Sequence, residues 1–285
     1  MLRDNKRYKN LQVSAGVYIP DVGINYPEDN PVERLLNAPK DREIVFDENY
    51  PYLDDSFSFR FQNWLGYVFV LYSALMPVNT IKYGIRFRGR NILRKYRKQL
   101  KGGAITIANH CYRWDAPAVL QAVHAGYHTR IPMFADNFCT KDHWFLKHVG
   151  GIPVPDNISA LKKFNEAFDE FHRRGWWFHV FPEAANWRFY KPLRPFRKGA
   201  FSMAYKYDMP ILPCVITYRK RTGIFRLFGK QNEPLLTVTI GEPVFPDRSV
   251  SRKNDVDRMR NEAHTRMEQM AGIEHNTWPV VPEDE

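Results

Sequence analysis

The sequence predicts an α/β fold: a layered mixed sheet flanked by helices, preceded by one apolar N-terminal helix of membrane-associating character. Three observations carry that prediction. Short runs rich in β-branched and aromatic residues, at 104–107, 130–135, 176–181, 211–218 and 235–240, alternate with segments of helical periodicity. Strands separated by helices build α/β layers around a largely parallel or mixed sheet. Ahead of this alternation, residues 64–78 are mostly apolar and carry no charge.

Taken in order, residues 1–56 are rich in Pro, Asp, Asn and Tyr, and two stretches, 25–31 and 47–51, read as turns because Pro fixes φ while Asn and Asp bond nearby backbone. This extension is expected to be a loosely ordered surface arm, with Ile44, Val45 and Phe46 pinning part of it to the body. The opening ten residues are charged and lack an apolar h-region, so no secretory signal is expected. In 57–80, the uncharged run falls short of the roughly 20 residues a spanning helix needs. Its Trp64, Tyr67 and Tyr72 suit headgroup depth, and a buried core helix is the competing reading. Residues 81–89 read as a strand with Arg86 and Arg88 alternating, and 91–100 as a basic helix.

The strand at 104–107 ends where His110 stands, and a helix opens near Asp115 and Pro117. A strand follows at 130–135, then a helix near 141–148. The helix at 158–174 carries Leu161, Phe164, Phe168 and Phe171 on one stripe, with Gly175 past its end. The strand at 176–181 delivers Pro182 and Glu183 at its tip, where open α/β sheets place their ligands. A helix at 201–207, strands at 211–218 and 235–240, and a closing helix at 255–270 with Val256, Met259, Ala263 and Met267 inward complete the chain. The expected division is a 1–56 extension, a 57–80 apolar segment and an 81–285 domain.

Length and composition allow a sizeable core: 285 residues, 44% hydrophobic. The net charge of +11 points to an anionic partner, which could be a phosphate-bearing substrate, an anionic membrane face or nucleic acid. Cys111, Cys139 and Cys214 lie far apart without a Cys-x-x-Cys pair, so neither a disulfide framework nor a zinc knuckle is suggested. No metal site is expected, since His143 and His148 lack any metal-binding pattern around them. Cys111 adjoins His110, but neighbours on an extended chain point to opposite faces and make a poor nucleophile–base pair.

His110 and Asp115 flank a strand-to-helix turn, which can bring them together although five residues separate them. A neutral imidazole can accept a proton near physiological pH, and a carboxylate on its other nitrogen fixes the tautomer and stabilises the imidazolium that forms. Such a pair makes a base without a protein nucleophile.

The segment Asn109-His110-x4-Asp115 resembles the first signature of the glycerolipid acyltransferases, the family containing 1-acylglycerol-3-phosphate acyltransferases. Later blocks arrive in that family's order. Gly150-Gly151-Ile152-Pro153-Val154 is similar to the second, Phe181-Pro182-Glu183 to the third, and Phe196-Arg197-Lys198-Gly199-Ala200-Phe201 to the basic segment that follows it. Ile211-Leu212-Pro213-Cys214-Val215 is similar to the fourth, and the resemblance spans 81–246.

The resemblance implies an O-acyltransferase in membrane lipid synthesis or remodelling. His110 would be the base and Asp115 its orienting group. Gly151, Glu183, Arg188, Arg197 and Lys198 would bind the substrate, with Lys191 and Arg194 in the same basic cluster. The implied co-substrate is an acyl-coenzyme A or acyl carrier protein thioester, with no bound cofactor. The acceptor would be a lysophospholipid-like molecule, met at the cytoplasmic face of a membrane by a peripheral or monotopic protein; nucleic acid is the less favoured partner. A catalytically silent relative that binds anionic membrane or nucleic acid is the alternative. Two departures bear on the acceptor: Asp156 stands where an arginine usually closes the second block, and Ala184-Ala185 replaces Gly-Thr or Gly-Ser in the third. Alanine resists the positive φ that glycine adopts freely, and Ala185 has no hydroxyl to donate. Both departures favour an acceptor other than unmodified lysophosphatidic acid.

Overall fold

The computed structural model describes residues 3–4, 8–35, 44–124, 128–155 and 157–283. Asp156 lies outside the described residues. A seven-stranded sheet forms the centre, in the order β3 (Arg86–Arg88), β9 (Leu235–Ile240), β8 (Ile211–Arg219), β4 (Ile105–Ile107), β7 (Trp177–Val180), β5 (Thr129–Phe134) and β6 (Gly151–Val154). From β8 to β6 every pairing is parallel, whereas β9 runs antiparallel to β8 and carries β3 parallel to itself. The sheet is therefore mixed and mostly parallel, as the alternation of segments predicts. β4 is buried throughout, as a central strand covered on both faces should be.

Helices α4 (Asp115–Val123), α6 (Ile158–Arg173), α7 (Gly199–Tyr207) and α8 (Arg252–Ala271) flank this sheet, with short helices α3 (Arg90–Lys95) and α5 (His143–His148) in its connections. Local signals set their ends. The Asn157 side chain caps α6 by accepting from Ala160 N at 2.7 Å, Ser251 caps α8 in the same way, and Gly272 ends α8 in the left-handed conformation. Val256, Met259, Ala263 and Met267 all face inward. In α6 the buried face is Ala160, Phe164, Ala167, Phe168 and Phe171, whereas Leu161, in the first turn, is exposed.

The apolar segment is longer than its uncharged run. α1 (Phe57–Leu65), a π-helical stretch (Gly66–Leu75) and α2 (Met76–Tyr83) form one continuous helix of 27 residues, long and apolar enough to cross a membrane by length and composition. The helix consumes 81–83, expected as strand, and Gly84 ends it in the left-handed conformation, so β3 begins only at Arg86. Only 28% of the apolar window is buried, which argues against the core-helix reading. One face, Tyr67, Leu71 and Met76, packs against Ala116 and Leu120 of α4 and Ile131 of β5, with the Tyr67 hydroxyl donating to Val149 O at 3.2 Å. Gly66 permits that approach, because a Cβ there would lie 2.7 Å from His148 O. Phe57, Phe61, Trp64, Phe69, Tyr72, Val78 and Ile81 are exposed along the rest.

The described part of 1–56 is not a loose arm. β2 (Gln12–Val13) joins β1 (Arg3–Asp4) and β10 (Ile273–His275) in a small antiparallel sheet, and Tyr8, Leu11, Val13 and Tyr52 enter the main core. Phe46 packs against Phe138 and Ile44 packs on the same cluster, while Val45 stays exposed, so two residues of the Ile44-Val45-Phe46 staple do the pinning. These contacts join residues far apart in sequence, which local composition does not encode.

Candidate active site

Asn109, at the end of β4, bonds both ways with Ile216 of β8: its Nδ2 donates to Ile216 O at 3.0 Å and its Oδ1 accepts from Ile216 N at 2.7 Å. That side-chain pair continues the ladder past the last strand residue and fixes where the chain leaves the sheet. His110 follows. Its Nδ1 lies 2.7 Å from Asp115 Oδ2, so the imidazole N–H donates to the carboxylate. Asp115 is itself held, accepting from Cys111 N at 3.0 Å, Tyr112 N at 3.3 Å and Ala116 N at 2.9 Å, in the first turn of α4 where the helix dipole favours an anion. The carboxylate is buried, whereas the His110 side chain is 24% exposed.

Aromatic and amide groups complete the setting. The Phe181 ring stacks on the imidazole at 4.0 Å and 12°. Behind it His179 is fully buried, edge-on to Phe181 at 4.5 Å, with Nδ1 2.8 Å from Thr106 Oγ1; burial pulls its pKa down to about 4. Asn186 Nδ2 donates to Tyr112 O at 3.1 Å and lies 3.0 Å from His110 Nδ1. The Cys111 thiol is buried, and burial with the nearby Asp115 charge pushes its pKa well up, which removes it as a nucleophile.

Glu183 serves the site from within the protein. Its carboxylate accepts from His110 N at 3.0 Å, Arg194 N at 3.0 Å and Arg194 Nη2 at 2.8 Å, and it is buried. It therefore clamps the His110 backbone, and its charge is met by Arg194 before any substrate arrives. Trp187 N and Phe189 N donate to His110 O and Cys111 O, closing the loop after Glu183 around the His110 turn. The N-terminal extension braces that loop in turn: Tyr26 donates to Arg188 O at 2.6 Å, Trp187 Nε1 to Glu33 O at 2.7 Å, and Arg194 Nη1 to Pro31 O at 3.1 Å.

The basic cluster divides. Lys191 and Arg194 are buried: Lys191 donates to Ala271 O at 2.6 Å and burial lowers its pKa to about 8, while Arg194 also donates to Ala185 O and lies over Trp187. Neither meets solvent, so these two members of the basic cluster expected to bind the substrate are held inside the protein. Arg188 is half-exposed and paired with Glu233. Arg197 is half-buried, its backbone N–H donating to Pro182 O at 2.9 Å beside the tip of β7, and Lys198 is exposed at the start of α7. Gly151 is not brought to His110. It sits in β6, level with Ile131 and three strand spacings from β4, about 14 Å across the sheet. A Cβ there would lie 2.6 Å from Leu146 O, so the residue serves close packing.

The third-block departure takes an unexpected form. Ala184 adopts φ +65°, so the backbone keeps the left-handed conformation despite the Cβ. Phe181, His179 and Asn186 carried no assigned role in the sequence. Phe181 was visible as a motif position, but nothing in its spacing reveals a stacked ring. Among the described residues, no group of three His, Cys, Asp or Glu side chains comes together in a way that could hold a metal ion.

A mostly parallel α/β sheet thus holds an oriented, partly exposed imidazole at a strand tip, the geometry that general-base chemistry requires. The model of the family described as Acyltransferase matches residues 84–217. The crystal structure of the 1-acyl-sn-glycerophosphate (LPA) acyltransferase PlsC from Thermotoga maritima is similar at 18% identity and a TM-score of 0.46, over 74% of this chain and 88% of that chain. No curated protein sequence matches significantly.

Proposed function

We propose that the protein is a membrane-associated O-acyltransferase that moves a fatty acyl group from an acyl thioester to the hydroxyl of a lysophospholipid-like acceptor. The observation that carries this reading is the 2.7 Å contact between His110 Nδ1 and a buried, anchored Asp115, which leaves Nε2 of a partly exposed imidazole as the base. Nε2 takes the acceptor's hydroxyl proton as the oxygen attacks the thioester carbonyl. The tetrahedral intermediate collapses by breaking the C–S bond, and the imidazolium returns its proton to the departing thiolate. No acyl-enzyme forms, consistent with the buried Cys111 thiol.

In this reading Asp115 orients the base, Glu183 and Phe181 position it, and Arg197 and Lys198 hold acceptor or donor phosphate, with Arg188 released from Glu233 to join them. Coenzyme A or acyl carrier protein supplies the acyl group, and the chain acts from the cytoplasmic face of a membrane as a peripheral or monotopic protein in lipid synthesis or remodelling. The working division remains 1–56, 57–80 and 81–285, with the first part bracing the loop over the site. Ala185, which has no hydroxyl, favours a larger or less anionic lysolipid than lysophosphatidic acid.

The test is thiol release from acyl-coenzyme A, or from acyl carrier protein thioester, with a panel of lysolipids. His110→Ala should lower kcat by at least a hundredfold with an unchanged fold, and Asp115→Asn should be similarly severe because it favours the wrong tautomer. Near-normal turnover by either folded variant would defeat the mechanism. If lysophosphatidic acid shows the highest kcat/KM, the acceptor preference is wrong while the mechanism stands.

A further inference from the structure

The turn joining β8 to β9 presents apolar side chains to solvent. Ile224 is 66% exposed, Leu227 80% and Phe228 41%. Yet the turn is built rather than loose. Arg221 is buried and donates to Glu233 O at 2.9 Å, Phe225 O at 2.7 Å and Phe228 O, tying both ends of the Gly223–Leu227 3-10 turn together. The Phe225 ring lies against Gly84, where a Cβ would stand 2.9 Å from it. A rigid frame thus holds three apolar groups outward, an arrangement that contributes nothing to the core.

Charge and continuity identify what covers them. Lys220, Arg226 and Lys230 flank the turn and are exposed, and Arg86 and Arg88 stand exposed on the adjoining β3. None of the five forms an ion pair among the described residues. The turn also abuts the C-terminal end of the apolar 57–83 helix, where Lys82 approaches Gly229 and where Val78 and Ile81 are exposed. Apolar side chains ringed by cations fit an anionic lipid surface, since the chains enter the acyl boundary while the cations meet phosphate headgroups.

We propose that the 223–228 turn is a second membrane-docking element, which inserts Ile224, Leu227 and Phe228 into an anionic bilayer beside the apolar helix. β8 runs parallel to β4, so its far end and this turn lie at the end of the sheet that carries His110. Docking there turns the His110 end toward the bilayer, where a lipid acceptor resides; that consequence rests on the acyl-transfer reading, whereas the docking does not.

The experiment uses the full chain with Cys139→Ser, since Cys111 and Cys214 are buried. An environment-sensitive fluorophore is placed at Leu227→Cys or, as control, at Lys253→Cys, near the opposite end of β8. The protein is bound to phosphatidylcholine vesicles with and without phosphatidylserine, and quenching by spin-labelled lipid is read. The expected result is a blue shift with at least threefold stronger quenching at position 227 than at 253, reduced by K220A/R226A/K230A in anionic vesicles. Equal, weak quenching at both positions while the protein is vesicle-bound overturns the proposal. So does a blue shift at 227 without lipid, which would mean that protein covers the turn. No turnover is measured, so a failed acyl-transfer assay leaves either result standing.

Discussion

Ala184 holds a φ of +65° next to Glu183, a conformation that costs an alanine about 1–2 kcal/mol and a glycine almost nothing. Glycine loses some of that advantage through the greater freedom of its unfolded chain. Ala184→Gly should therefore stabilise the protein by about 0.5–1 kcal/mol, read as a higher urea midpoint at unchanged slope; a lower midpoint would show that the backbone is not strained there. His179 gives a second residue-scale expectation. Its pKa falls from 6.5 in the unfolded chain to about 4 in the fold because burial disfavours the cation, so the unfolded chain binds more protons between those values. Stability is fully present above pH 6.5 and falls as the pH drops toward 4, by on the order of 3 kcal/mol. Urea titrations across that range should show the loss, and His179→Gln should flatten it. A wild-type curve without that slope would mean that His179 is solvated.

At the scale of an element, the 57–83 helix divides its work by face. Tyr67 and Leu71 are buried against α4 and β5, whereas Phe69 and Tyr72 are exposed. Phe69→Asp with Tyr72→Asp should change folding stability by no more than about 0.5 kcal/mol per site, because neither side chain supports the core. The same pair should shift the protein from the membrane to the soluble fraction by several fold. High salt should only weaken the wild-type attachment, since salt screens charge and leaves apolar burial intact. A double variant that fractionates with membranes like wild type would mean that this face does not meet lipid.

Across the whole molecule, Arg194 joins parts of the chain that are distant in sequence: it pairs with Glu183, donates to Ala185 O and reaches Pro31 O in the N-terminal extension. Arg194→Met strands the buried Glu183 carboxylate, and breaking such a pair from one side costs about 3–5 kcal/mol. Removing the charge from the other side as well should recover part of that loss. The measurement is a double-mutant cycle of Arg194→Met and Glu183→Gln by chemical denaturation, and additive losses would mean that the pair contributes no coupling. Because Glu183 also holds the His110 backbone, the single variant should lower kcat even where it remains folded.

The alternation of strand and helix, the inward face of α8 and the His110–Asp115 pair were legible in the sequence because they follow from local periodicity and short spacing. Glu183 and Arg197 entered the sequence reading through the resemblance of their motif blocks to the family's, not through periodicity. What only the tertiary structure decided are the partners. It buried Lys191 and Arg194 instead of presenting them to a ligand, turned Glu183 inward to the His110 backbone, carried Gly151 away from His110 and folded the N-terminal extension over the site. Residue type states what a side chain can bond, but long-range packing determines which groups come within reach and which charges lose their water. Those choices settle whether a charged residue braces the site or faces the substrate.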